Sequence, residues 1–248
     1  MLFYWSVFIV TIVMPTIFWF WLFRYLDRDD PEPPKVLRKL FYSGIVAAIL
    51  SSLVYSYLYP SLFPNDYANF ISGNVNLLST NLLLLALMVA LAGPIEETMK
   101  FILLKNYSFH LPSFNQISDG IVYGISVGLG FAVIENITYF ISFTQLNSFD
   151  LVNLSIYRGV SSMMLHVGAA GLIGYGLGKM KFTPGQPKKI MVKYLIIAMA
   201  IHALFNAVLV IPGGSLVSMM LAISSCLYLI YVIQKPESRL IWKQKDPS

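Results

Sequence analysis

Glu96, Glu97 and Lys100 stand inside an apolar stretch of this chain, in the run Gly93-Pro94-Ile95-Glu96-Glu97-Thr98-Met99-Lys100. A charged group inside a bilayer costs on the order of 2 to 3 kcal/mol even on the mild insertion scale, so a membrane chain that keeps three together has a use for them. Other apolar stretches carry Glu135-Asn136, Arg158, His166 and the pair His202 and Asn206. Such groups in a partly dry pocket suit two chemistries. In one, a glutamate takes a proton from water, one histidine positions that water, and the other histidine and the asparagine hydrogen-bond the oxyanion of an amide under hydrolysis. In the other, Glu96, Glu135, His166 and His202 are candidate ligands of a divalent metal such as zinc, whose bound water is the nucleophile. The sequence has no HExxH helix, and it leaves the two chemistries open.

Helical spacing says which groups can meet. Glu96 and Lys100 are four apart and can pair on one face, whereas Glu97 is turned about 100° away. Glu135 lies on the stripe of Gly120, Gly124 and Gly128, the side on which another helix can come close. His202 and Asn206 share a face. At 1.5 Å per residue from the expected basic-side helix ends, Glu96 lies roughly 12 Å deep, His202 roughly 13 Å, His166 roughly 18 Å and Glu135 roughly 24 Å. Taken singly, an ion pair, a buried amide or an interhelical histidine is ordinary packing; their recurrence on four successive spans points to a site.

The elements that must hold these groups are membrane helices. With 57% hydrophobic and 12% charged residues and a mean hydropathy of +0.69, the chain has too little polar surface for a soluble domain. The expected fold is all-α and polytopic: one domain over residues 1–248, with about seven spans at 2–23, 40–59, 77–104, 119–143, 155–178, 194–211 and 216–233. Pro94 is expected to bend the third. Residues 24–39 read as a proline-containing cytosolic loop and 234–248 as a basic cytosolic tail. Fifteen of the 17 Lys and Arg fall in loops or tail on one side of this arrangement, which puts the N-terminus outside and the C-terminus in the cytosol of a multi-pass cell-membrane protein. The net charge of +5 is therefore topological and no sign of nucleic acid. The lone Cys226 permits no internal disulfide and reads as a packing residue.

The set Glu96-Glu97-x-x-Lys100, Asp119-Gly120-x-x-Tyr123-Gly124, Gly128-Leu129-Gly130-Phe131-Ala132-x-x-Glu135-Asn136, His166 and His202-x-x-x-Asn206 resembles the PrsW family of intramembrane proteases. Tyr25-x-Asp27, Pro31-Glu32-Pro33-Pro34 and Phe41-x-x-Gly44 resemble that family's N-terminal pattern. The related CAAX prenyl proteases carry EExxxR and FxxxH, from which Lys100 and the Glu135 that ends Phe131-x-x-x-Glu135 depart. The resemblance implies that Glu96 is the water-activating base, Glu97 and Glu135 supporting carboxylates, His166 a water-positioning or ligand residue, and His202 with Asn206 the oxyanion side. Lys100, Asn136 and Arg158 are expected to support them. The implied partner is a single-span membrane protein in the lipid bilayer, an anti-sigma factor in the family's known role.

Two other classes fit part of the pattern. An ion- or proton-coupled transporter also keeps carboxylates and histidines in mid-membrane, but no internal repeat is visible. A non-catalytic membrane scaffold would survive loss of its glutamates.

Overall fold

The computed structural model describes residues 1–64, 82–185 and 187–241. Residues 77–81 of the expected third span, most of the loop before it and residues 242–248 of the tail lie outside the described residues. Among the described residues, eight helices longer than a single turn follow in order: α1 (Leu2–Leu26), α2 (Pro34–Leu62), α3 (Leu82–Ala90), α4 (Ala92–Ser108), α5 (Ile117–Phe143), α6 (Ser148–Phe182), α7 (Pro187–Leu209) and α8 (Gly214–Ile233). Among the described residues there is no strand, and six helices, all but α3 and α4, are long and apolar enough to cross a membrane.

The α3–α4 pair accounts for the remaining expected span. It breaks at Leu91, between Ala90 and Ala92. Pro94 explains where: its ring is incompatible with a regular helix at the carbonyl four residues back, that of Ala90, and it has no N–H to give. The ladder resumes as the Ile95 amide donates to the Leu91 carbonyl at 3.4 Å. Glu96 and Glu97 thus sit in the first turns of a fresh helix.

Helices α5 and α6 form the spine. Their apolar windows are 89% buried, against 28% for α1, 33% for α2, 17% for α7 and 39% for α8, so the other helices are laid around this pair. The two small-residue stripes explain the close approach. A Cβ built on Gly124 would lie 2.1 Å from the Ala170 carbonyl oxygen, and one on Gly128 would lie 2.4 Å from that of His166, so no side chain fits at either seam position. Helix α2 packs on the other side of α5, where Gly44 meets the Val127 backbone. Cys226 is buried and free, against the Met164 carbonyl.

Two segments differ from the expectation that loops are solvated. Helix α2 begins at Pro34, inside the loop expected at 24–39, and the Pro31-Glu32-Pro33 stretch before it is docked: Glu32 is 4% exposed and accepts a hydrogen bond from the Tyr123 hydroxyl. Helix α6 runs to Phe182, because Lys179 and Lys181 extend it by a turn beyond its apolar stretch.

Candidate active site

Glu97 and Lys100 build the floor of the site. Lys100, 1% exposed, donates to Glu97 Oε1 at 2.7 Å and lies 3.8 Å from Glu96 Oε2. The expected Glu96–Lys100 pair is thus the weaker of the two contacts. The reason is tertiary: the ammonium also reaches His166 Nδ1 at 2.8 Å on α6 and rests 4.0 Å above the centre of the Phe131 ring on α5, which draws it toward the Glu97 side. Glu97, fully buried, also bonds His202 Nδ1 at 2.6 Å from α7. A carboxylate only accepts, so His202 carries its proton on Nδ1 and turns Nε2 toward Glu96 Oε2, 3.7 Å away.

Glu96 is held from outside the expected set. Tyr55 of α2 donates to Glu96 Oε1 at 2.6 Å. Its partner oxygen, Oε2, is buried and makes no hydrogen bond to the described residues. Tyr55 is the residue that sequence reasoning missed. The only available sign was Ser51, Tyr55 and Tyr59 at four-residue spacing, a polar line along one face of an apolar helix.

Glu135 completes the far side. Its Oε2 bonds His166 Nε2 at 2.7 Å and the Arg158 guanidinium at 2.9 Å, and it accepts from Ser162 at 3.2 Å. Lys100 has only protons to offer, so His166 accepts at Nδ1 and donates at Nε2 to Glu135. Arg158 lies 3.5 Å above the Tyr139 ring. The depth estimates placed Glu135 well above His166; the contact forms because α6 is longer than expected, which puts His166 about 24 Å from Phe182 and Glu135 about 27 Å from Ile117.

The structure therefore joins Glu96, Glu97, Lys100, Glu135, Arg158, His166 and His202. Asn206 and Asn136 stand apart from the reacting groups. Asn206 donates to the Val89 carbonyl of α3 at 3.3 Å, tying α7 to the helix before the break. Asn136 is buried, with neither side-chain atom hydrogen-bonded to the protein.

Three carboxylates here face only two permanent cations in one cluster. That imbalance suits a divalent ion. Glu96, His166 and His202 can each point one ligand atom at a common place, all within 4.8 Å of one another. A carboxylate with two imidazoles is an ordinary zinc donor set. The unbonded Glu96 Oε2 and the lone pair of His202 Nε2 fit it directly; His166 fits once its bond to Lys100 or Glu135 is exchanged.

Comparison with known proteins places the chain in a family. The chain is 31% identical over 121 residues to Protease PrsW of Halalkalibacterium halodurans, covering 49% of this chain and about half (53%) of that protein. It is 28% identical over 208 residues to Protease PrsW of Clostridioides difficile, covering 83% and 80%, and 26% identical over 186 residues to that of Bacillus subtilis, covering 74% and 72%. No solved structure matches it. The profile of the PrsW family intramembrane metalloprotease matches residues 32–233. Since that match starts at the docked loop, ends with the last helix and takes in every side chain of the cluster, this chain belongs to the PrsW family of intramembrane metalloproteases.

Proposed function

We propose that this multi-pass intramembrane endopeptidase hydrolyses a peptide bond of a single-span membrane protein at Glu96, with His166 and His202 beside it. One observation carries the assignment: three ligand atoms, from Glu96, His166 and His202, converge within 4.8 Å inside a buried layer of the bundle.

Glu96 Oε2, the oxygen that Tyr55 leaves free, accepts a proton from water. The hydroxide oxygen attacks the peptide carbonyl carbon, and the carbonyl electron pair moves onto oxygen. On collapse the C–N bond breaks, and the proton passes from Glu96 to the leaving nitrogen. Glu97 holds His202 by its Nδ1–H, so that Nε2 faces the reacting water as a lone-pair atom. This makes His202 a positioning or ligand group, where the family resemblance gives it the oxyanion side. Lys100, 3.8 Å from Glu96 Oε2, is a cation beside the proposed base and can offset negative charge that develops there. Glu135 and Arg158 fix His166 from behind. Zinc, if held by that Glu96 oxygen with His166 and His202, would polarise the carbonyl and lower the pKa of water in place of the free carboxylate base.

The basic loops orient the chain with its N-terminus outside and its C-terminus in the cytosol. An anti-sigma factor is the substrate that the family resemblance suggests.

The test is cleavage of a library of single-span membrane peptides by the purified protein in lipid. Fragments are expected from the wild type, and none from Glu96→Gln, His166→Ala or His202→Ala that remain folded. Normal cutting by all three would refute the assignment.

A further inference from the structure

Beside this cluster, three side chains carry polar atoms that no group of the described residues satisfies. Asn136 Oδ1 and Nδ2, Ser155 Oγ and Arg158 Nε are all buried and make no hydrogen bond among the described residues. Asn136 is 4% exposed and Ser155 5%, so neither is relieved by its surroundings. Buried polar atoms of this kind are uncommon because their desolvation goes uncompensated.

All three side chains line one cavity, whose apolar walls include Ile12, Phe140 and Phe143. It leaves the centre of a water-sized molecule about 10 Å³, the room of one water. The chemistry matches. Asn136 Nδ2 and Arg158 Nε donate, Asn136 Oδ1 accepts and Ser155 does either, which supplies the two to four bonds that an internal water needs.

We infer that Asn136, Ser155 and the Nε edge of Arg158 bind a single ordered water molecule where α1, α5 and α6 meet. Local geometry supports the junction. Residues Ile9–Val13 of α1 wind as a wide π turn, which puts Ile12 in the cavity wall, and the Thr11 carbonyl presses on Gly159 of α6 so closely that a Cβ there would lie 2.2 Å away. The same guanidinium grips Glu135 through Nη2 and is covered on one face by Tyr139, so a water on Nε fixes the remaining edge. Asn136 and Ser155 are therefore positioning residues: they act through water and Arg158 on the Glu135–His166 pair.

Hydroxyl-radical footprinting of the full chain in lipid nanodiscs, read by mass spectrometry, tests this without any substrate. Ile12 is 3% exposed and Ile125 2%, but only Ile12 lines the cavity. Ile12 is expected to oxidise several-fold faster than Ile125. Asn136→Leu should bring Ile12 down to the Ile125 rate, while Asn136→Ser, which keeps the cavity polar, should leave it fast. Should Asn136→Leu fail to fold, Ser155→Val fills the cavity from α6 and carries the same expectation. Equal rates in the wild type, or a fast Ile12 in a folded, filled variant, would overturn the site whether or not the protein cuts peptides.

Discussion

Tyr55 and Glu96 are joined by a 2.6 Å hydrogen bond that links α2 to the carboxylate proposed as the base. The bond occupies one oxygen and leaves the other for chemistry. Tyr55→Phe removes the hydroxyl and keeps the ring stacked on Tyr59. The loss expected in kcat is about 10- to 100-fold, the range for groups that orient a metal ligand or base, with KM unchanged. Steady-state kinetics on a cleaved membrane peptide would show it; an altered KM with normal kcat would place Tyr55 at substrate binding instead.

Lys100 answers Glu97 inside a water-poor layer, so breaking the pair costs more than the pair itself contributes. Lys100→Met should destabilise the fold by about 3–5 kcal/mol, because it leaves Glu97 buried with a charge. The double variant Lys100→Met with Glu97→Gln should recover much of that loss. Thermal unfolding of the three proteins in one detergent gives the comparison.

Gly128 sits where α5 touches the backbone of His166. The Gly128→Ala methyl must push the spine helices apart, at about 1–3 kcal/mol, and move His166 from Glu135 and Lys100. Activity is expected to fall further than stability. A variant that melts normally and cuts normally would show that the seam tolerates the shift.

Outside the spans, burial and the neighbouring Asp119 charge push the Glu32 carboxyl up to about 9, and burial, with Asp119 and Asp30 nearby, pushes Asp27 up to about 8. Arg239 acts on Asp27 in the opposite direction, and Tyr123 donates to Glu32. Both groups hold a proton in the folded chain that the unfolded chain releases above about pH 4. The sign follows: this contribution is complete below that value and is lost as pH rises toward 9. The melting temperature should fall by about 3–10 °C between pH 6 and pH 9, and Glu32→Gln should flatten the slope. A slope unchanged in Glu32→Gln would remove this loop as its origin.

Zinc binding should register as stability. At 100 times its Kd, an ion held by the folded state alone adds about 2.7 kcal/mol, or about 5–10 °C for a chain of this size. A strong chelator should reverse the shift, and His166→Ala or His202→Ala should abolish it. If zinc leaves the wild-type melting temperature unchanged, the donor set works on water without it.

Much of this arrangement was legible in the residues. Intramembrane charge marked the Glu96 helix, and small-residue spacing marked the seam between α5 and α6. Three things were not. Tyr55 was hidden because its one sign, the four-residue spacing with Ser51 and Tyr59, does not tell a tyrosine that caps a carboxylate from the exposed Tyr57 beside it. The preference of Lys100 for Glu97 was hidden because His166 and Phe131, from two other helices, decide its rotamer. Glu32 read as part of a proline-containing loop, since its burial depends on Tyr123, 91 residues away.

The spine described above has one more consequence. His166 is fixed to the most enclosed pair of helices, whereas Glu96 and His202 ride on rods laid around it. The separation of these three groups is set by the tilt of the outer rods against the inner pair. For such a peptidase, the thickness of the surrounding bilayer is itself a dimension of the reaction centre.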